Sequence, residues 1–451
     1  MKRHTRRLGA SLAAAGVMAL AAAGCAMHGR TALPPAPGAC SELGTAAART
    51  PPPVEPTRPA MGFNPFNTFG TTFDQSLIVA VVEAMARNGM RAAGYSYVIL
   101  DDGWQGSRTA GGQLTADPRL FPCGIKRLAD FVHREGFDFG LYTTPGPRSC
   151  AGRNGSAGHV RADARTFAGW GVDYVKLDWC NADYAPAPAA AIAQQWRAAL
   201  DATHRPMILS INAGGAPTVA PWAHAVANSW RVGGDICGSW YNQSHPPSST
   251  ARRCYHDRLY HMGIVDYLRS GVLRLAARYA GPGHYLDPDM LEVGTLSEST
   301  TGTNLATDAL TSSEAGTNFA MWAMWSAPLI SGSDPRTMTG REPTSLILLN
   351  REIIAIDQDP LGRPATLVES RGAWQVWRKP LTGGQAAVAI VNLADRPAAA
   401  DFSWPKLGLS ARPSSLRDLW AQRDLPVTGG LHVRLGAHAT AMYLLGGRPP
   451  G

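Results

Sequence analysis

The 451-residue sequence contains no HExxH pattern and no CxxC pair, and His133, His159, His224 and His284 stand isolated from other ligand types. The spacings by which zinc sites are read are therefore missing, and these histidines read as surface or core residues. No glycine-rich turn follows the first strand-like run, MGFNPFNTFG, which removes the phosphate cradle of a dinucleotide-binding sheet. After residue 25 there is no apolar run long enough to span a membrane. Lys and Arg are scattered, without the basic stripe or aromatic-interleaved patch that a phosphate backbone requires, so no nucleic-acid partner is expected. The formal charge of +8 overstates even that balance, because residues 1–24 carry four basic and no acidic side chains and their removal leaves +4. A neutral substrate fits better.

What is present begins with an export signal over residues 1–25. Lys2, Arg3, Arg6 and Arg7 precede a short apolar run that ends in LAAAGC at 20–25. Small residues before Cys25 suit a bacterial lipoprotein cleavage site with Cys25 acylated; cleavage after one of the alanines is the alternative. The expected location is periplasmic, extracellular or lipid-anchored at a bacterial cell envelope, with membrane contact only through that anchor. Seven cysteines leave one unpaired in an exported chain, and lipidation of Cys25 would leave six. Cys40, Cys123, Cys150, Cys180, Cys237 and Cys254 would then form three disulfides in an oxidising compartment, in any of about 15 pairings. Residues 26–60, rich in Pro, Ala, Gly and Thr, read as a tether.

From Met61 onward, strand-like runs alternate with helical periodicity. The runs are MGFNPF (61–66), YVILDDGW (97–104), FGLYTTPG (139–146), DYVKLDWC (173–180), MILSINA (207–213), ANSWRVGGD (227–235), YLDPDML (285–291) and APLISGS (327–333). Over 74–90, Leu77, Ile78, Val81 and Met85 share one helical face, with Asn88, Gly89 and Gly94 as stops. Helices also fit 125–134 and 192–200. Eight such units predict an α/β fold, a (β/α)8 TIM barrel over 61–359. After about residue 360 the pattern changes to short alternating runs (AWQVWR, AAVAIVNL, LHVRL, ATAMYLL) between turn residues, which predicts a C-terminal antiparallel β-sandwich over 360–451 with a structural role.

Catalytic groups of such a barrel stand at the C-terminal ends of its strands. Asp101 and Asp102 close YVILDD, Asp178 closes VKLD, Asp235 closes WRVGGD, and Asp287 and Asp289 punctuate YLDPDM. The period of two puts Lys176 on the same side as Asp178, and Asp178 is the expected partner of that buried ammonium, which would keep it ionised. Taken singly, each carboxylate reads more readily as a cap or an ion-pair member than as a catalyst. Together they suit glycoside hydrolysis, which needs one carboxylate at the anomeric carbon and one carboxyl to protonate the leaving oxygen. Trp104, Tyr142, Trp179, Trp230 and Trp240 lie near the same strand ends as candidate faces for a sugar ring.

These residues carry a resemblance to glycoside hydrolase family 27, the α-galactosidases and α-N-acetylgalactosaminidases. Its carriers are MGFNPFN, YVILDDGW, GLYTTPGPRSCAG, GVDYVKLDWC, SWRVGGDI, DPDMLEVG, FAMWAMWSAPLISGSD and QDPLG, in order from Met61 to about Gly362. The resemblance implies a retaining mechanism with Asp178 as nucleophile and Asp235 as acid/base. It implies hydroxyl binding by Asp101 and Asp102, with Lys176, Tyr142, Arg231 and Asp289 completing the pocket, and it implies no metal or organic cofactor. It also implies that Cys150 pairs with Cys180. Proximity then suggests Cys237 with Cys254, which leaves Cys40 with Cys123.

The sequence departs from the family in three places. Phe63 and Phe66 stand where members carry a Trp-rich MGWNSWN stretch, which keeps an aromatic platform. Gly103 replaces a cysteine common after the aspartate pair. In the fifth strand, Ser210 to Gly215, including Asn212, replace the Cys-Glu-Trp of α-galactosidases in the region that faces the sugar's C2. The expected substrate is an oligo- or polysaccharide with terminal α-D-galactose. Within the family the alternatives are α-N-acetylgalactosaminidase, β-L-arabinopyranosidase and isomaltose-releasing dextranase. Outside it they are a non-catalytic sugar-binding lipoprotein and a metal-dependent barrel hydrolase, the latter weakened by the missing ligand spacings.

Overall fold

A computed structural model of the chain describes residues 40, 41, 43, 44, 57–183, 186–214, 218–241, 261–294 and 310–446. The expected export signal, Cys25, most of the expected tether and Cys254 lie outside them. Eight parallel strands form one curled sheet: β1 Met61–Phe63, β2 Tyr97–Leu100, β3 Asp138–Thr143, β4 Tyr174–Asp178, β5 Ile208–Asn212, β6 Ser229–Arg231, β7 Tyr285–Asp287 and β8 Leu329–Ser331. They run around the sheet in the order β7, β6, β5, β4, β3, β2, β1, β8, and a parallel bridge between Leu291 and Ser331 brings its two ends together. This is the (β/α)8 barrel expected from the alternation, and its eight strands are the eight runs read from the sequence.

Helices follow where the apolar spacing predicts them. Gln75–Arg87 is capped by Asp74, whose side chain accepts from the Leu77 amide, and it buries Ile78, Val81 and Met85. Asn88 ends it, and Gly89 follows at φ 98°, a left-handed backbone that glycine adopts without steric cost. Gly124–Arg134 and Val160–Trp170 cover the next two strands. The helix expected over 192–200 is longer, Pro186–Asp201, because prolines in a first turn lack only amides that a helix start leaves unbonded anyway.

The alternation of side chains along each strand separates two environments. Val98, Leu100, Val175, Leu177, Leu209 and Ile211 join the large core outside the sheet, whereas Tyr97, Ile99, Tyr174, Ile208 and Ile330 form a separate interior cluster. Above these inward apolar residues, the same parity carries the polar ones. Lys176 lies beside Ser210, Asp178 beside Asn212, and Asp287 beside Arg231 in register. The interior is thus apolar low in the barrel and charged at its C-terminal rim.

The second unit is the expected sandwich. Its main sheet comprises β9 Thr366–Arg371, β10 Trp374–Pro380, β11 Ala386–Asn392, β13 Leu416–Asp418, β14 Arg423–Leu425 and β16 Thr440–Leu445; β12 Ala398–Ser403 pairs with β15 Gly430–Leu435 as its cover. Every residue of β11 is buried. Its Val388 and Ile390 face Phe402, Trp404 and Leu431 inside the sandwich, and Ala387, Ala389 and Val391 belong to the core shared with the barrel. The union is also polar: the Lys379 ammonium, fully buried, donates to the Ala323 carbonyl at 2.8 Å, and Asn350 donates to the Leu419 carbonyl at 3.0 Å.

Gly140 on β3 faces the barrel interior, where a Cβ would lie 2.8 Å from Ile99 Cγ1. Gly140→Ala should cost about 1–3 kcal/mol through overpacking. Thermal unfolding should show a lowered Tm, partly recovered by adding Ile99→Ala, which removes both Cγ atoms; a Tm equal to that of the wild type would show that the interior has room to spare.

Candidate active site

The rim of the barrel surrounds a cavity of about 340 Å³. Phe66, Asp101, Asp102, Tyr142, Lys176, Asp178, Asn212, Arg231, Asp235 and Asp289 all line it, so the structure gathers the candidate polar residues, with Phe66 and Tyr142, at one place. They come from the ends of different strands or from the loops just beyond, which only barrel closure brings together.

The Asp178 carboxylate is held from three directions. Tyr142 Oη donates to Oδ2 at 3.0 Å, while Asn212 Nδ2 at 2.8 Å and the Trp179 amide at 3.0 Å donate to Oδ1. Burial pushes its pKa up to about 6; the charge of Lys176 pulls it down, Asp235 and Asp101 push it further up, and the Tyr142 bond pulls it down again. The ion pair expected between Lys176 and Asp178 is not the one formed. Lys176 Nζ donates to Asp101 Oδ2 at 2.6 Å, an oxygen that also accepts from Asn64 Nδ2 at 2.6 Å. Asp101, at the end of β2 and two strands away from Lys176, takes the ammonium, and Lys176 acts on Asp178 through its field alone. Burial opposes the charge of Lys176, yet Asp101, Asp178 and Asp289 hold its pKa above the ordinary value.

On the opposite wall Arg231 joins two carboxylates. Its Nη2 donates to Asp235 Oδ1 at 2.6 Å and to Asp289 Oδ2. Asp289 has a left-handed backbone, φ 77°, unusual for a residue with a side chain, and the surroundings over-determine it. Its Oδ2 accepts from the Ile236 amide at 2.8 Å, and its carbonyl accepts from Trp322 Nε1 at 2.7 Å. The Asp235 side chain is 51% exposed and stands where the pocket meets solvent. Asp102, by contrast, is buried: Oδ2 accepts from the Ala151 amide at 2.8 Å, and Oδ1 has no partner among the described residues. Burial raises its pKa.

Two sequence expectations about aromatic faces need correction. Of the five aromatic residues near the strand ends, only Tyr142 lines the cavity; Trp104, Trp179, Trp230 and Trp240 are buried behind it. Trp179 and Trp230 each follow or precede an inward polar residue and therefore point outward, Trp179 against Trp222. Trp104 braces the wall by donating to the Tyr142 carbonyl at 2.9 Å. Phe63 is likewise fully buried in the main core, which leaves Phe66 as the aromatic residue of the first loop that lines the pocket.

Cys150 and Cys180 are disulfide-bonded, with Cα atoms 5.2 Å apart, and their sulfurs lie 3.7 and 3.6 Å from Asp178 Oδ2. Cys40 and Cys123 are also bonded, Cα to Cα 5.6 Å. Cys237 is disulfide-bonded, and its expected partner Cys254 lies outside the described residues. Among the described residues, the one group of potential ligand atoms close enough to share a metal ion is Cys150, Asp178 and Cys180. Both sulfurs there are spent on each other and offer no thiolate.

Sequence reasoning did not single out Asn64, Asn67, Thr71, Ala151 or Met290. Asn67, Thr71, Ala151 and Met290 line the cavity, and Asn64 holds Asp101 from below. The asparagines could have been found by the rule that located the aspartates, since both follow β1. Ala151 acts through its amide, for which the side chain carries no signal.

Comparison with known proteins agrees with this geometry. Residues 70–359 match the family described as alpha galactosidase A, and residues 371–445 match the alpha galactosidase C-terminal beta sandwich domain. The α-galactosidase A of Cellvibrio japonicus is 36% identical over 403 residues, covering 86% of this chain and 92% of that protein. Among solved structures, α-galactosidase I from Mortierella vinacea superposes with a TM-score of 0.77 at 29% identity, covering 88% of this chain and 99% of that one. The Saccharomyces cerevisiae α-galactosidase with raffinose does so at 0.75 and 26% identity, covering 87% and 98%. A rim of paired carboxylates on this barrel, the attached sandwich and these matches together lead to one conclusion: the chain belongs to glycoside hydrolase family 27 and is an α-galactosidase-type glycoside hydrolase.

Proposed function

We propose that this enzyme releases terminal α-D-galactose with retention, through a covalent galactosyl-aspartate intermediate on Asp178. The observation that carries this reading is the Asp178 carboxylate, oriented by Tyr142, Asn212 and the Trp179 amide, in one pocket with a half-exposed second carboxylate, Asp235. In the first step Asp178 attacks the anomeric carbon, the bond to the leaving oxygen breaks, and Asp235 gives that oxygen its proton. In the second step water attacks the same carbon, its proton passes to Asp235, and the ester bond to Asp178 breaks. Asp102 Oδ1, buried and without a partner among the described residues, suits a sugar hydroxyl that donates to it. Asp101 and Lys176, joined at 2.6 Å, offer an acceptor and a donor for neighbouring hydroxyls. A raffinose-type oligosaccharide is the proposed natural class of substrate, by analogy with the yeast relative.

Small residues around Asn212 favour a second reading for the position of the sugar's C2, a 2-acetamido group. Hydrolysis of matched p-nitrophenyl α-D-galactoside and α-N-acetyl-D-galactosaminide decides between the two. Preference for the galactoside is the expected result.

Export is also proposed. Its supports are the basic and apolar N-terminal 25 residues and the disulfides Cys40–Cys123 and Cys150–Cys180, which persist in oxidising compartments. No helix among the described residues is long and apolar enough to cross a membrane. In a bacterial host the activity should fractionate with the cell envelope or medium; recovery wholly in the cytosol would refute export.

The two carboxylates can be told apart chemically. With an activated galactoside, Asp178→Ala plus azide should give β-galactosyl azide, because azide enters the vacated face in a single displacement. Asp235→Ala plus azide should give the α-anomer, because azide replaces water at the intermediate. Product anomers read by NMR in the reverse order would exchange the two roles. Without azide, Asp178→Ala should lose at least about a thousandfold in kcat.

The raised pKa of Asp178 sets the acid limb of activity. The nucleophile must be ionised, so kcat/KM should fall as pH drops through about 6, well above the range of an ordinary carboxylate. The Tyr142 bond favours the ionised form, so Tyr142→Phe should move that limb to higher pH. An acid limb that stays in place in Tyr142→Phe would remove Tyr142 from the control of Asp178.

A further inference from the structure

The carboxylate assigned above to acid/base work has one strong side-chain anchor, Arg231, and is itself half exposed. Its position therefore depends on the segment that carries it, residues 232–241. At one end that segment is tied to the barrel: Tyr267 Oη donates to the Gly234 carbonyl at 2.7 Å, and the Ile236 amide donates to Asp289. Asp235 and Ile236 pair in parallel with His261 and Met262. At the other end the Ser239 and Trp240 carbonyls accept from the Ile264 and Val265 amides, at 3.1 and 3.0 Å, and the side chains of Trp240 and Tyr241 reach the sandwich.

Trp240, five residues after Asp235, is buried with its ring stacked on the imidazole of His438, centroids 4.3 Å apart and planes 13° apart. Tyr241 meets the same imidazole edge-on at 5.9 Å. His438 lies in the turn between β15 and β16, with a left-handed backbone of φ 58°. Its Nδ1 lies 2.7 Å from Glu314 Oε1 at the start of the helix Ser312–Met324, and its Nε2 lies 2.8 Å from Asp395 Oδ1 between β11 and β12. Each ring nitrogen thus faces a carboxylate oxygen. Tyr241 Oη closes the cluster by donating to the same Asp395 oxygen at 2.6 Å. The Thr317 hydroxyl donates to the His438 carbonyl at 2.6 Å. The ring is thus fixed by two separate elements, the helix carrying Glu314 and the loop carrying Asp395, before it touches Trp240.

We propose that His438 is a positioning residue for the acid/base step: from the sandwich, its imidazole holds Trp240 and Tyr241 and so sets the segment that presents Asp235 to the leaving oxygen. The inference rests on the reading of Asp235 as acid/base. It gives the C-terminal sandwich a part in catalysis without any contact to the sugar.

The test compares kcat/KM for two galactosides in the purified protein. p-Nitrophenyl α-galactoside loses a phenolate that needs little protonation, whereas raffinose loses a sugar oxygen that needs a placed acid. His438→Ala should lose about tenfold or more on raffinose and stay within about threefold on the p-nitrophenyl substrate. His438→Asn, which tolerates the left-handed backbone but cannot stack, should show the same split if the alanine variant does not fold. Trp240→Phe, which keeps an aromatic partner, should lose less than either. Equal losses on both substrates, or none on either, would overturn the role of His438. Asp235→Ala is the reference: without the split there, the assignment of Asp235 fails, whereas a split there and none in the His438 variants defeats this inference alone.

Discussion

Crowding of like charge governs this site. Asp101, Asp102, Asp178, Asp235 and Asp289 line one cavity, where the cations among the described residues are two, Lys176 and Arg231. Each cation is committed, Lys176 to Asp101 and Arg231 to Asp235 and Asp289. Asp178 is left with neutral donors, and burial with unfavourable neighbours raises its pKa to about 6. Neutral donors orient a carboxylate without pairing away its charge, which suits the role proposed for Asp178. Had Lys176 bonded to Asp178, as strand parity suggested, that carboxylate would be less basic and partly screened. The ammonium is instead taken by Asp101, and its field reaches Asp178 as a weaker, longer-range pull.

The wall is only as firm as what stands behind it. Trp104, Trp179 and Trp230 are core residues; the Trp104 ring holds the Tyr142 main chain and the Trp179 amide holds Asp178, so their value lies in rigidity and not in sugar contact. The disulfide between Cys150 and Cys180 closes the same wall across two loops. Behind the barrel, the sandwich contributes a sheet whose strand β11 is buried on both faces and serves two cores at once. A strand so enclosed cannot shift without disturbing both cores, and its neighbour β16 follows the turn carrying His438.

Much of this was legible in the residues. The period of two and the polar ends of VKLD, YVILDD and WRVGGD located the rim, because a parallel barrel puts inward polar residues at only one end. The sandwich strands AWQVWR and AAVAIVNL were readable for the same reason, whereas Thr366–Arg371 and Ala398–Ser403, largely exposed edge segments, carried too little apolar contrast to stand out. The aromatic residues misled, since a tryptophan beside a catalytic strand end looks the same in sequence whether it faces sugar or core.

What the sequence by itself determined was the fold class, the family and the set of polar groups at the rim, all of which follow from local periodicity and ordered motifs. The tertiary structure decided which cation meets which carboxylate, which aromatic residues reach the cavity, and that a histidine near the end of the chain stacks on the segment carrying Asp235. These are questions of distance between residues remote in sequence. Periodicity along one strand gives the direction of a side chain and says nothing of what the neighbouring strand or domain places opposite it.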